Sequence, residues 1–417
     1  MNLDQPLYAV AKQIQWNFPE RYGERRFVIM FRGLHIEMAF QKAIGGWLEG
    51  SGWEAALTEA NVASAGPADS FLKATSVTHT RRAHQVTASS LYVLLTKSYT
   101  SYKESLEPEA DVVSFSDWCL KKVASFPQFH VWYLTLQLEL LLLAFVRSFQ
   151  EANFELYIEA LSKMVPWFFS LDHTNYARWL PIHLRYMYCL NDVAPDVAVQ
   201  FQQGKFAVSK TSNPFSAIPI DQAHEQNNAL VKGEGGAVGL TVEASMVTEC
   251  TETEQSAKHH EDTRSLQSLF YRDVVSLTTT IEEMGNPFME ETDNLFALDT
   301  KQMSLDALVR LRKGEEVGMA QYESFIAERL MQESKSLCTP IKRNNLRVFN
   351  DPASNVASKT KQQLSSVRND CLLFSRLYIS CQMREGIWMS FSSMKTKVVH
   401  QRCHRMVSCA YFRKSRN

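Results

Sequence analysis

The sequence Asp221-Gln222-Ala223-His224-Glu225 places two carboxylates and an imidazole three and four positions apart. On a helix that spacing puts all three on one face. There they could hold a divalent metal or shuttle a proton. The same residues admit a plainer reading: a polar helix over 221–232, with Asp221 at its start opposing the dipole and Gln226, Asn227 and Asn228 facing water. His35 and Glu37 form a second polar cluster, directly after the apolar run at 26–31. Residues at the carboxyl end of a strand reach active sites in α/β folds, but positions two apart on a helix diverge, so these two need not share a site. Asp172, His173, Arg178, His183 and Arg185 supply a third polar group between apolar segments, for which buried Arg–Asp pairing is a sufficient explanation. The glycines at 233, 235, 236 and 239 suggest a phosphate loop, yet they follow a helix and no Gly-Lys-Ser/Thr occurs, so a flexible connection is expected. His400, Cys403, His404 and Cys409 lack the surrounding periodicity of a zinc fold and read as chance.

These groups sit in a chain of 417 residues that is 45% apolar, enough for a real core. With 44 basic and 45 acidic residues, global charge does not recruit DNA, RNA or an acidic membrane, so any nucleic-acid contact must come from a local patch. None of the eight cysteines forms a CxxC pair, which points to reduced thiols, no disulfide framework and an intracellular place, nuclear or cytoplasmic. The opening MNLDQPLYAV has neither a basic flank nor a long apolar run. The most apolar stretch, 131–146, is interrupted by Gln137 and Glu139 and falls short of the roughly 20 residues of a membrane span. It predicts a buried core helix in a soluble protein with no membrane partner.

The elements expected to position these groups are mainly helical. A short buried strand is predicted at 26–31, then a helix at 34–48 stopped by Gly50 and Gly52. A surface loop is predicted at 61–80, a helix at 84–102, and a cap at Ser116-Asp117 for a helix ending near 123. Two strongly apolar helices, 129–149 and 154–169, form the expected centre of the core, followed by a helix at 176–190 kinked or broken at Pro181. A second short strand is predicted at 206–210. The fold class is mainly α (α+β): a helix-rich core over 1–240, a polar linker at 241–262, a looser satellite helical region at 263–383 and a basic tail at 384–417.

Several blocks carry a resemblance: DQPLYAVAKQIQW (4–16), GLHIEMA (33–39), GWLEGSGW (46–53), AHQVTASSLYVLL (83–95), NYARWLPIHLR (175–185), IDQAHEQNNALVKGEGGAVGLT (220–241), IEEMGNPF (281–288) and CLLFSRLYISCQ (371–382). They resemble an uncharacterised, multi-copy family of animal proteins of transposon-derived type. A more distant likeness is to ribonuclease-H-like transposase cores, which hold two metal ions on carboxylates from two strands and a helix. That likeness implies Asp4 as the first carboxylate and Asp221 or Glu225 as the last, with Mg²⁺ or Mn²⁺ as cofactor. The position closing the strand at 26–31 is Arg32-Gly33, without a carboxylate. The resemblance therefore implies a degenerate, non-catalytic relic or adapted fragment that binds DNA or protein and needs no cofactor. The alternatives are a metal-dependent DNA-processing enzyme and a non-functional pseudogene product. It also implies a missing portion before Asp4, a shortened junction after Thr241, and an out-of-frame, disordered tail. From Gly386 onward the chain holds no acidic residue, and one-nucleotide-shifted codons give an acidic sequence of the expected kind.

Overall fold

The computed structural model describes residues 1–107, 109, 111–209, 211, 213–232, 264–304 and 307–349. The polar linker, the glycine cluster and the basic tail, with its histidines and cysteines, lie outside these residues. The described chain is mainly helical with a few two- and three-residue strands. Strand β1 (Asn2–Leu3) leads into α1 (Gln5–Asn17) and α2 (Pro19–Tyr22), and the chain returns as β2 (Met30–Phe31). The two strands pair in parallel, Asn2 opposite Met30 and Leu3 opposite Phe31. Only these two residues of the run at 26–31 form a ladder, because β1 is no longer than two residues. The other apolar residue buried beside them, Ile29, is held by packing.

Helix α3 (Gly33–Leu48) follows at once, then α4 (Trp53–Glu59) and α5 (Ala65–Leu72). The loop expected at 61–80 is thus partly helical, because Ala68 and Phe71 bury against the core and tertiary packing overrides a weak local signal. Helix α6 (Val77–Glu104) and α7 (Phe115–Ser125) come next. The cap of α7 is Ser114, whose Oγ accepts from Asp117 N at 3.1 Å, two positions before the expected one. The centre is built from α8 (Pro127–Gln150), α9 (Phe154–Ser170) and α10 (Thr174–Tyr188), which runs through Pro181 unbroken. Pro127 opens α8, where its missing N–H costs nothing, and Asn153 caps α9 by accepting from Leu156 N at 3.0 Å.

Among the described residues α8 is the helix long and apolar enough to cross a membrane, but two thirds of its apolar window is buried and Glu139 inside it is paired. It is a core helix. Short α11 (Leu190–Val193) and α12 (Pro195–Gln202) lead to an antiparallel pair, β3 (Ala207–Ser209) with β4 (Ala217–Pro219), and then to α13 (Ile220–Lys232).

Of the segment expected as a satellite, 263–383, the part up to residue 350 belongs to the same compact unit as the core, Met1–Asn350. Helix α14 (Arg264–Glu283) packs on α6 and α4, with Ser90 Oγ donating to Val274 O at 3.1 Å and Ser276 Oγ to Ala60 O at 2.8 Å. The hairpin β5 (Leu295–Phe296) and β6 (Met303–Ser304) precedes α15 (Ala307–Phe325), which lies along α9 and ends in a π-helical stretch, Ile326–Met331. At Gly318 the helices approach so closely that a Cβ would meet Pro166 O of α9. The apolar faces of these helices are thin, but Leu277, Ile281 and Phe325 are buried in the common core, so the described part of the region expected at 263–383 is not separate from it.

Candidate functional site

The parallel pair β1–β2 aims the starts of two helices at one place. Asp4 follows β1 and caps α1, its Oδ1 accepting from Leu7 N at 3.2 Å. Helix α3 begins straight after β2, and its own cap residue, Arg32, makes no side-chain capping bond. The cap comes instead from α13. Asp221 Oδ1 accepts from Leu34 N at 3.2 Å and Oδ2 from His35 N at 3.3 Å, while the His35 ring Nδ1 lies 3.1 Å from Oδ2. The position after β2, without a carboxylate in the sequence, is thereby supplied with one from 187 residues further on. Gly33 is needed at this junction, since a Cβ there would run into the Phe149 ring.

Asp221 is 1% exposed, and the free N–H groups of α3, with the positive end of its dipole, compensate the buried charge. Tyr176 closes the site from α10, its hydroxyl donating to His35 O at 3.2 Å. Burial, then the charges of Asp4 and Asp221, push its phenol up to about 12, so it remains a donor. Beneath lies a buried aromatic layer. Tyr157 Oη and His183 Nε2 are 2.8 Å apart, and the Tyr8 and Phe31 rings meet His183 edge-on. Burial, with Lys12 second, drives His183 down to about 3, so a neutral ring shares the hydrogen bond with the Tyr157 hydroxyl. Lys12 is itself buried, bonded to Glu24 Oε1 at 3.0 Å and set 3.5 Å over the Tyr186 ring.

The predicted residues therefore divide. Asp4, His35 and Asp221 come together at the strand ends with Tyr176. His224 and Glu225 are exposed, on the outer side of α13, and do not join Asp221. Glu37 points away from His35, as its spacing implies, and accepts two bonds of 2.7 Å from the Arg81 guanidinium and one of 2.9 Å from Gln41. Asp172 does not pair with an arginine: its carboxylate accepts from Asn344 N and Asn345 N, each at 2.7 Å, because the chain turns there with Asp172 at positive φ. Sequence reasoning missed a second buried pair, His84 with Glu139, 2.8 Å apart and covered by the Trp53 ring. Its one legible trace was Glu139 interrupting an apolar run.

Of this pair, the His35 side chain is the one that reaches solvent, 29% exposed against 1% for Asp221. Among the described residues no three His, Cys, Asp or Glu side chains converge as a metal-binding group.

A family model matches residues 1–116 and 103–392, which together carry every residue of this site. The chain belongs to the family defined by the domain of unknown function DUF8702. The match spans both capping carboxylates, the aromatic layer and the helices of 264–349. Neither the curated proteins nor the solved structures gave a match.

Proposed function

We propose that this chain is a non-catalytic, adapted fragment of a mobile-element protein that acts by binding protein or nucleic acid. The observation that carries the reading is the use of Asp221. Both of its oxygens are engaged by the start of α3 and by His35, and the carboxylate is buried. A carboxylate committed in this way stabilises the fold instead of presenting free oxygens to a metal. Glu225, the other candidate for the last carboxylate, faces outward. Transposon descent is supported by the sequence blocks alone, and intracellular placement by the cysteine pattern.

A second reading, a metal-dependent DNA-processing enzyme, is favoured by one observation: Asp4 follows β1 directly, Asp221 reaches from α13 to the helix start just after the paired strand β2, and both act on Tyr176. The engaged and buried oxygens of Asp221 fit a Mg²⁺ or Mn²⁺ site poorly.

Incubating DNA with the protein in Mg²⁺ and in Mn²⁺ separates the two. The expected result is no cleavage, with Asp221→Asn lowering the stability by about 2 kcal/mol through the weakened cap and charge-assisted bonds. Metal-dependent cleavage that disappears in a folded Asp221→Asn or Glu225→Gln variant would establish the enzyme.

A further inference from the structure

Helix α1 has its faces reversed for a helix that meets water. Its inward face consists of Tyr8, Lys12 and Gln15, all buried. Lys12 is matched there by Glu24, and Gln15 Nε2 donates to Phe27 O at 2.7 Å. Its outward face carries the aliphatic residues: Leu7 is 53% exposed, Val10 52% and Ile14 41%. A surface helix ordinarily buries its apolar stripe and gives the polar one to solvent. Phe18 lengthens the stripe, since its N–H bonds Ile14 O at 3.0 Å, and its side chain is 58% exposed. Tyr22, whose N–H bonds Phe18 O at 2.9 Å, and Phe27, its ring 6.3 Å from that of Tyr22, extend the patch. Single apolar side chains on a surface need no explanation, but a contiguous patch over an inward polar face does. These six residues leave on the order of 600 Å² in solvent, close to the roughly 800 Å² that each partner gives to a standard interface.

Spacing and charge together identify the occupant. Positions 7, 10 and 14 follow the three-and-four rhythm of a seam between two helices. The seam carries no charge: Lys12, the one charged residue of α1, points inward, and the exposed Gln13 and Asn17 beside it are neutral. Such a face meets a copy of itself with no like charges opposed. The exposed Arg21, Arg25 and Arg26 all lie beyond its carboxyl end. Parallel helices would bring the two sets of arginines together. Antiparallel helices hold them apart, each set toward the amino end of the other α1, where Asp4 stands. We propose that this face is the twofold interface of a homodimer, in which α1 of two copies packs antiparallel. The register that centres the seam sets Val10 against Ile14 of the second copy, and Leu7 against its Phe18. The proposal uses neither Asp221 nor its role, so it stands apart from the function proposed above.

Sedimentation equilibrium of the full chain at micromolar concentration is the test. Twice the chain mass is expected, since interfaces of this area hold at micromolar concentrations or below. Val10→Lys and Ile14→Glu should each yield a monomer, weakening association about a hundredfold or more by placing a charge in an apolar seam. Both side chains are exposed in the single chain, so each variant keeps a cooperative melting transition. Leu120→Glu, on α7 and also exposed, should leave the dimer intact. Mixing the Val10→Lys chain with the Ile14→Glu chain should restore a dimer. The antiparallel register pairs the two introduced charges and leaves a native Ile14 opposite a native Val10. A monomer at every concentration, a dimer unaffected by either variant, or variants that fail to pair on mixing overturns the proposal. A monomer that captures a single-stranded oligonucleotide through Arg25 and Arg26 also overturns it, and makes the face a nucleic-acid surface.

Discussion

His183 is the residue through which the aromatic layer under the site becomes sensitive to acid. Its folded pKa is about 3 against an ordinary 6.5, set first by burial and then by Lys12. Between those values the unfolded chain binds the proton and the folded chain does not, so stability is full above about pH 6.5 and falls as pH drops toward 3. His173, held at about 4 by burial and by Lys42, adds to the loss over most of the same window. Urea midpoints measured from pH 7.5 to 4.5 should decline, by up to about 1.4 kcal/mol per pH unit for each such histidine. In His183→Gln, whose amide can still hydrogen-bond the Tyr157 hydroxyl, the decline should be shallower. An unchanged slope in that variant would place the acid sensitivity elsewhere. Of the site itself, Asp221 and His35 stood out in the sequence as residue types, but their pairing did not. They are 186 positions apart, and nothing local in either segment encodes the other. The cluster expected of Asp221, His224 and Glu225 does not form, because α3 claims the buried carboxylate while His224 and Glu225 are exposed.

At the scale of elements, α8 shows how much apolar periodicity reveals and where it stops. The runs at 129–149 and 154–169 announced two core helices, and they appear as α8 and α9 with ends within two residues. The same pattern could not say that Glu139 on α8 would find His84 on α6, with both side chains wholly buried. Removing one member of such a pair strands the other. Glu139→Ala should destabilise the protein by about 3–5 kcal/mol, whereas His84→Leu with Glu139→Leu should recover most of that loss, since well-packed apolar side chains often replace a buried pair without penalty. Denaturant titration of the three variants checks this, and a double variant as unstable as Glu139→Ala would count against it. Helix α5 was missed for a different reason. Its residues are small and weakly periodic, and the burial of Phe71 is decided by the surface it lands on.

For the molecule as a unit, the decisive feature is that residues 264–349 complete the core. Phe288 packs edge-on against Phe129 at 5.2 Å, Phe325 against Phe169 at 5.5 Å, and Phe349 lies against Trp132 at 6.3 Å. A chain ended at residue 240 would leave these large central rings uncovered. It should therefore lack a cooperative melting transition and bind a hydrophobic dye, while the full chain melts cooperatively. A sharp transition in the shortened chain would restore the division between core and satellite drawn from composition. That division rested on thin apolar faces, and thinness describes how many residues a helix buries, not whether it is needed.

The capping of α3 by Asp221 also sets a clock on synthesis. The helix start at Leu34 leaves the ribosome long before its carboxylate does, by 187 residues. At ordinary translation rates that interval is roughly ten to forty seconds. Throughout it the amino end of α3 has no Asp221 to satisfy it, β1 and β2 are joined by only a two-residue ladder, and the aromatic layer beneath is open. The amino-terminal third of the nascent chain must wait, unfinished, for a residue from its middle.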